Sequence, residues 1–167
     1  VLGGSDCEQI GTGWLAQPVN ALSSLAFVPA GLWVASRAGE RHGWRRWETL
    51  GVGAALVANG VGSFAYHGTQ PPWAQVAHDA PIVAIVALLA ANELGRRARP
   101  APAPEPAGRR AGRIALATGA AALAAYALGR TGSPACRPES LLQWHAAWHG
   151  LAAVSLAAAA AARIERG

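Results

Sequence analysis

Long apolar runs separated by short arginine-bearing segments dominate the chain. A helix needs about 20 consecutive apolar residues to cross the hydrocarbon core of a bilayer. Five stretches meet that length: about 18–36, 48–66, 73–94, 112–128 and 141–162. They predict an all-α fold, a polytopic transmembrane helix bundle forming one domain over 1–167. The fourth stretch is the shortest and is rich in Ala and Gly. Residues 95–111 join the third stretch to the fourth and hold arginines, alanines and prolines, a composition that suits an exposed linker.

Arginine placement adds a direction. All fourteen basic residues are arginine, and twelve of them fall after the first, third and fifth spans. Only Arg130 and Arg137 fall on the other side. Cytoplasmic loops carry the excess of Lys and Arg, so the N-terminus is expected outside and the C-terminus in the cytoplasm, in what reads as a bacterial cell membrane. Residues 1–17 are polar and Gly-rich, with no basic region ahead of an apolar run, so no signal peptide is expected within them. The chain starts at Val1 and has no methionine, which suggests that a leading methionine or short segment has been removed.

Composition agrees with a membrane chain: 52% of residues are hydrophobic and 14% charged, against about 25% charged in soluble domains. The net charge of +5 could suit nucleic acid. Its confinement to short loops between apolar spans argues for membrane orientation instead, and no nucleic-acid partner is expected. Cys7 and Cys136 both fall on the side read as outside, where disulfides persist, and a Cys7–Cys136 bridge is expected. Two free thiols sharing a side are the alternative.

Polar residues inside spans are costly and therefore informative. Span two ends with Ser63 and His67, four apart on one helical face. Span three begins with His78 and Asp79, and span five with His145 and His149, again four apart. His67, Asp79, His145 and His149 thus reach a similar depth in the outer half of the bilayer. Three imidazoles and a carboxylate suit Zn2+, with a fourth position left for water. Such water becomes nucleophilic near neutral pH, Asp79 is the candidate general base, and Ser63 can donate to the oxyanion. Taken singly, His67 also fits an interfacial polar group, the His145–His149 pair fits haem ligation or a packed interface, and Asp79 fits a helix cap or a partner for His78. His78 lies about 100° around the helix from Asp79 and is left outside the ligand set. Trp44, Trp47, Trp73, Trp144 and Trp148 lie near predicted interfaces, where indoles anchor.

The segments GSFAYHGT (62–69) and QWHAAWH (143–149), with Asp79 between them, resemble the alkaline ceramidase family of the CREST membrane hydrolase superfamily. Asp6-Cys7-Glu8, then Asn20 and Ser23, are similar to the same branch, and SPACRPESLLQWHAAWH resembles bacterial ceramidase-domain proteins. The resemblance implies a zinc site on His67, His145 and His149, a general base at Asp79 and an oxyanion-side serine at Ser63. It implies hydrolysis of the amide of a ceramide-like lipid that enters sideways from the bilayer. The family has seven spans where this chain has five, which leaves a more open cavity or a need for a partner such as a second copy. Eukaryotic members share a calcium site near the N-terminus; here Asp6 and Glu8 could serve, but Gln17 stands where a further carboxylate is expected, so calcium is not assigned. The other readings are a non-catalytic or receptor-like membrane protein held together by zinc, closed by Asp79 as fourth ligand, and a haem protein using His145 or His149 with His67.

Overall fold

The structure, a computed structural model, describes residues 2–97 and 106–165. Its regular secondary structure among the described residues is helical: α1 (Pro18–Ser24), α2 (Phe27–Ser36), α3 (Trp44–His67), α4 (Ala74–Arg97), α5 (Pro106–Leu128) and α6 (Trp144–Ile164). A 3-10 turn, Arg37–Glu40, follows α2. Among the described residues five segments are long and apolar enough to cross a membrane, with α1, α2 and the 3-10 turn together forming the first.

The first span is broken where a single helix was expected. Pro29 has no N–H to give to the Leu25 carbonyl, and Val28 N–H takes that carbonyl instead at 3.0 Å. The hydroxyls of Ser23 and Ser24 bond the carbonyls of Asn20 and Ala21 one turn back. Side chains that compete for helical carbonyls favour such a break. The expected linker is also shorter. Helix α4 continues to Arg97 and α5 starts at Pro106, its proline at a position where the missing N–H costs nothing. Residues 98–105 of that linker lie outside the described residues.

Helices α1 and α2 sit between α3 and α6, while α4 packs outside α3 and α5 outside α6. Close backbone approach holds this row together, as expected where lipid removes the hydrophobic drive between helices. Gly31 and Gly53 let α2 and α3 meet backbone to backbone. Gly62 rests against the Ala77 carbonyl of α4. Pro81 lies four residues after Ala77 and cannot donate to that carbonyl. The contact fixes where α4 meets α3 and how far it is rotated.

The interior changes character along its length. At one end Phe27, Val34, Val52, Leu56, Ile85, Ala153 and Ala160 form an apolar core. Along the same side of α3, Asn59, Ser63 and His67 follow, all buried. The outward faces of α4 and α5 remain apolar and exposed, as at Val83, Val86, Leu116 and Leu123, which suits contact with lipid chains. Arg41 bonds the Arg163 carbonyl at the core end. The bridged Cys7 and Cys136 mark the other end, with Cα atoms 5.4 Å apart.

Candidate metal centre

His67 closes α3, where Gly68 ends the helix and its N–H returns to the Phe64 carbonyl. His145 and His149 occupy the first two turns of α6. Gly129 allows the preceding loop to lie against the His145 backbone, where a Cβ would meet its nitrogen at 2.6 Å. The three rings gather in the interior: centroids are 5.0 Å apart for His67–His145, 5.3 Å for His67–His149 and 4.7 Å for His145–His149. All three are buried, and one ligand atom from each lies within 4.8 Å of the others. Among the described residues, this group can hold a metal ion.

The surrounding oxygens decide how the rings are presented. Gln17 Oε1 lies 2.8 Å from His67 Nδ1, and Gln17 Nε2 donates to the carbonyls of Gly3 and Glu8. An amide oxygen only accepts, so His67 carries its proton on Nδ1. Ser23 Oγ lies 2.9 Å from His149 Nδ1 and gives its own proton to the Asn20 carbonyl. His149 Nδ1 is therefore also the donor. His145 Nδ1 lies 3.3 Å from Asp6 Oδ1, a charge contact off hydrogen-bond alignment. The Nε2 atoms of His67, His145 and His149 are buried and have no hydrogen-bond partner among the described residues. Leaving a buried polar atom unpaired costs about 1–3 kcal/mol. Three together cost on the order of 3–9 kcal/mol, comparable with the whole stability of a small domain. With Nδ1 engaged, His67 and His149 keep their Nε2 lone pairs free, and together with a ring nitrogen of His145 they make a donor set that suits a divalent cation.

The bridged N-terminal segment supplies much of this support. Asp6 is buried and pairs with Arg130 at 3.0 Å. Burial pushes its carboxyl above the usual range, opposed by the Arg130 guanidinium beside it. Glu8 caps α1 with both carboxylate oxygens, each 2.7 Å from a backbone nitrogen, those of Val19 and Asn20. Its carboxyl is also raised by burial, against those two bonds. The residues considered for calcium are thus engaged elsewhere: Asp6 with Arg130, Glu8 with α1 and Gln17 with His67.

Asp79 does not join the cluster. Its side chain is 53% exposed, and its partners are Gln75 Nε2 at 2.5 Å and His78 Nδ1 at 2.6 Å. The 100° offset between neighbouring helical residues holds as expected, but the inward position belongs to the other one. His78 stacks on Tyr66 with centroids 4.4 Å apart and meets His67 edge-on at 6.1 Å. The Gly62–Ala77 contact sets this rotation of α4. Ser63 is buried one turn before His67 on the same helix. Trp148, placed in the interfacial belt from sequence, packs its ring against His145 and His149 at 5.1 and 5.0 Å. The supporting roles of Gln17, Ser23 and Asp6 went unread in the sequence; the available signal was a cluster of polar residues beside and within the first apolar span. Comparison of the chain with protein-family models, curated proteins and solved structures returned no match.

Proposed function

We propose that this chain is a zinc-dependent membrane amidohydrolase of ceramidase-like type, acting on the amide bond of a sphingolipid or related lipid. The observation that carries the metal reading is the set of three buried, unpartnered Nε2 atoms, two with Nδ1 fixed by a hydrogen bond. His67, His145 and His149 would hold the ion. Zinc bound there would supply Lewis acidity, polarising a carbonyl and making water nucleophilic near neutral pH. Three ligands favour an open site over the closed four-ligand site of a structural zinc, and Asp79, the candidate fourth ligand, is turned away. The amide substrate is supported by the resemblance of the histidine and N-terminal segments to ceramidases.

The chain's own groups divide the remaining work. Ser63 would donate to the developing oxyanion. Asp79 holds Nδ1 of His78, so its proton service would run through that ring and not through direct contact with the triad. Asp6, 3.3 Å from His145 Nδ1, would steady that ring by charge. The site lies at the end of the bundle that carries Arg130 and Arg137, opposite Arg41 and Arg163. The positive-inside rule would turn that end toward the extracytoplasmic side.

Metal analysis of the purified protein in detergent tests the reading, together with hydrolysis of a fluorescent N-acyl sphingoid lipid. About one zinc per chain, and amide cleavage abolished by a chelator and restored by zinc, are the expected results. A Soret band with no zinc would transfer the site to haem. Zinc without cleavage of any N-acyl lipid would overturn the hydrolase.

A further inference from the structure

The end of the bundle opposite the metal centre carries an arrangement that the proposed chemistry does not use. Trp44, Arg45, Arg46 and Trp47 open α3, and all four are exposed, the two indoles by 76% and 66%. A helix rises about 1.5 Å per residue, so both arginines fall within the roughly 4.5 Å of axis bounded by the indoles. Indoles settle at the headgroup level of a bilayer, which puts the guanidinium groups among headgroups. Trp33 repeats the pairing on α2: it is 43% exposed, and the Arg37 guanidinium lies over its ring at 5.6 Å.

Local carboxylates do not balance this charge. Residues 37–48 hold four arginines and two glutamates, and one of these, Glu40, bridges Arg37 at 3.1 Å. Arg41 reaches the Arg163 carbonyl and so brings the end of α6 to the same surface. Burial and the positive charge of Arg45 lower the Arg41 guanidinium below its ordinary value, opposed by Glu40 and Glu48. Arg110 and Arg113, exposed in the first turns of α5, add to this end, and residues 106–113 hold no acid. Clusters of basic residues beside a membrane span find their counter-charge in anionic headgroups.

We infer that Arg45 and Arg46, framed by Trp44 and Trp47, bind the phosphodiester of an anionic phospholipid at this end of the bundle. A guanidinium donates two parallel N–H bonds to phosphate oxygens, while the indoles lie against the glycerol backbone and upper acyl chain. A choline headgroup offers the same phosphate with its own cation alongside, so the excess positive charge of 37–48 favours lipids of net negative charge. The positive-inside rule would turn this end to the cytoplasmic leaflet, which carries such lipids. Lipid binding here does not depend on the metal centre at the far end.

The test uses the full chain purified in dodecyl maltoside, titrated with phosphatidylglycerol or phosphatidylcholine of the same acyl chains and read by native mass spectrometry. The wild type should retain phosphatidylglycerol at concentrations about tenfold or more below those needed for phosphatidylcholine. Each basic residue near the surface strengthens binding of acidic lipid about fivefold. Arg45→Gln with Arg46→Gln should therefore bind phosphatidylglycerol about thirtyfold more weakly and leave phosphatidylcholine unchanged. Its thermal midpoint should stay at the wild-type value, because both side chains are exposed. Arg137→Gln, at the disulfide end, should keep the full preference. Equal retention of both lipids by the wild type overturns the inference, as does an undiminished preference in the double variant. An equal loss in Arg137→Gln also overturns it, since net charge and not this pair would then be responsible. Should the double variant fail to fold, the single variants decide: Arg45→Gln and Arg46→Gln should each lose about fivefold, and full affinity in both overturns the inference.

Discussion

Gln17 offers the sharpest test of how the imidazoles are held. Its side chain has no exposure and ties three groups together: His67 Nδ1 at 2.8 Å, the Glu8 carbonyl at 2.8 Å and the Gly3 carbonyl at 3.1 Å. Gln17→Met keeps the length and removes every polar atom. His67 then loses the acceptor that fixes its tautomer and ring angle. Removing such a support lowers metal affinity about 10–100-fold, or ~1.4–2.7 kcal/mol. Stability falls too, on the order of 3 kcal/mol, because the three former partners are left unpaired in the interior. Gln17→Glu separates the two effects. Its carboxylate still accepts from His67 Nδ1 but cannot donate to the two carbonyls, so most of the metal affinity returns while the stability does not. Competition with a chelating fluorophore gives the affinity, and thermal unfolding in detergent gives the stability. If Gln17→Met binds zinc as tightly as the wild type, ring orientation by Gln17 is not what prepares the site.

Other outcomes follow from the same geometry. His145→Ala leaves two imidazoles, too few to hold zinc, and should lower bound metal from about one per chain to none, read by metal analysis. Gly62→Ala puts a methyl group against the Ala77 carbonyl and should cost about 1–3 kcal/mol, seen as a lower unfolding midpoint; an unchanged midpoint would mean that α3 and α4 part without penalty. Cys136→Ser should cost ~2–5 kcal/mol by releasing the segment that carries Asp6 and Glu8, checked against the wild type under reducing and oxidising conditions. Burial raises the Asp6 carboxyl above its ordinary value of 3.8, so the folded state binds that proton more tightly than the unfolded chain. Stability of the metal-free protein should therefore fall as pH rises from that value through the raised one, and Asp6→Asn should flatten the dependence.

Sequence alone predicted the helices and the chemistry concentrated at one end of them. Apolar length gave five segments long enough to cross a membrane as helices, the form in which one segment pairs all its own backbone groups. The four-residue spacings Ser63–His67 and His145–His149 put their members on shared faces, since 3.6 residues per turn is a local property. From the span order Cys7 and Cys136 could be assigned to one side, and His67, Asp79, His145 and His149 to a similar depth. Tertiary structure alone decided which neighbour faced inward. His78 and Asp79 are adjacent, and the packing of α4 on α3, with Gly62 against the Ala77 carbonyl and Tyr66 stacked on His78, turns the imidazole toward the cluster and leaves the carboxylate with Gln75. The bond from Gln17 to His67 spans 50 positions and that from Ser23 to His149 spans 126. No local periodicity encodes pairings of that range; they arise when α1 and α2 wedge between α3 and α6 and the disulfide draws Asp6 over the rings.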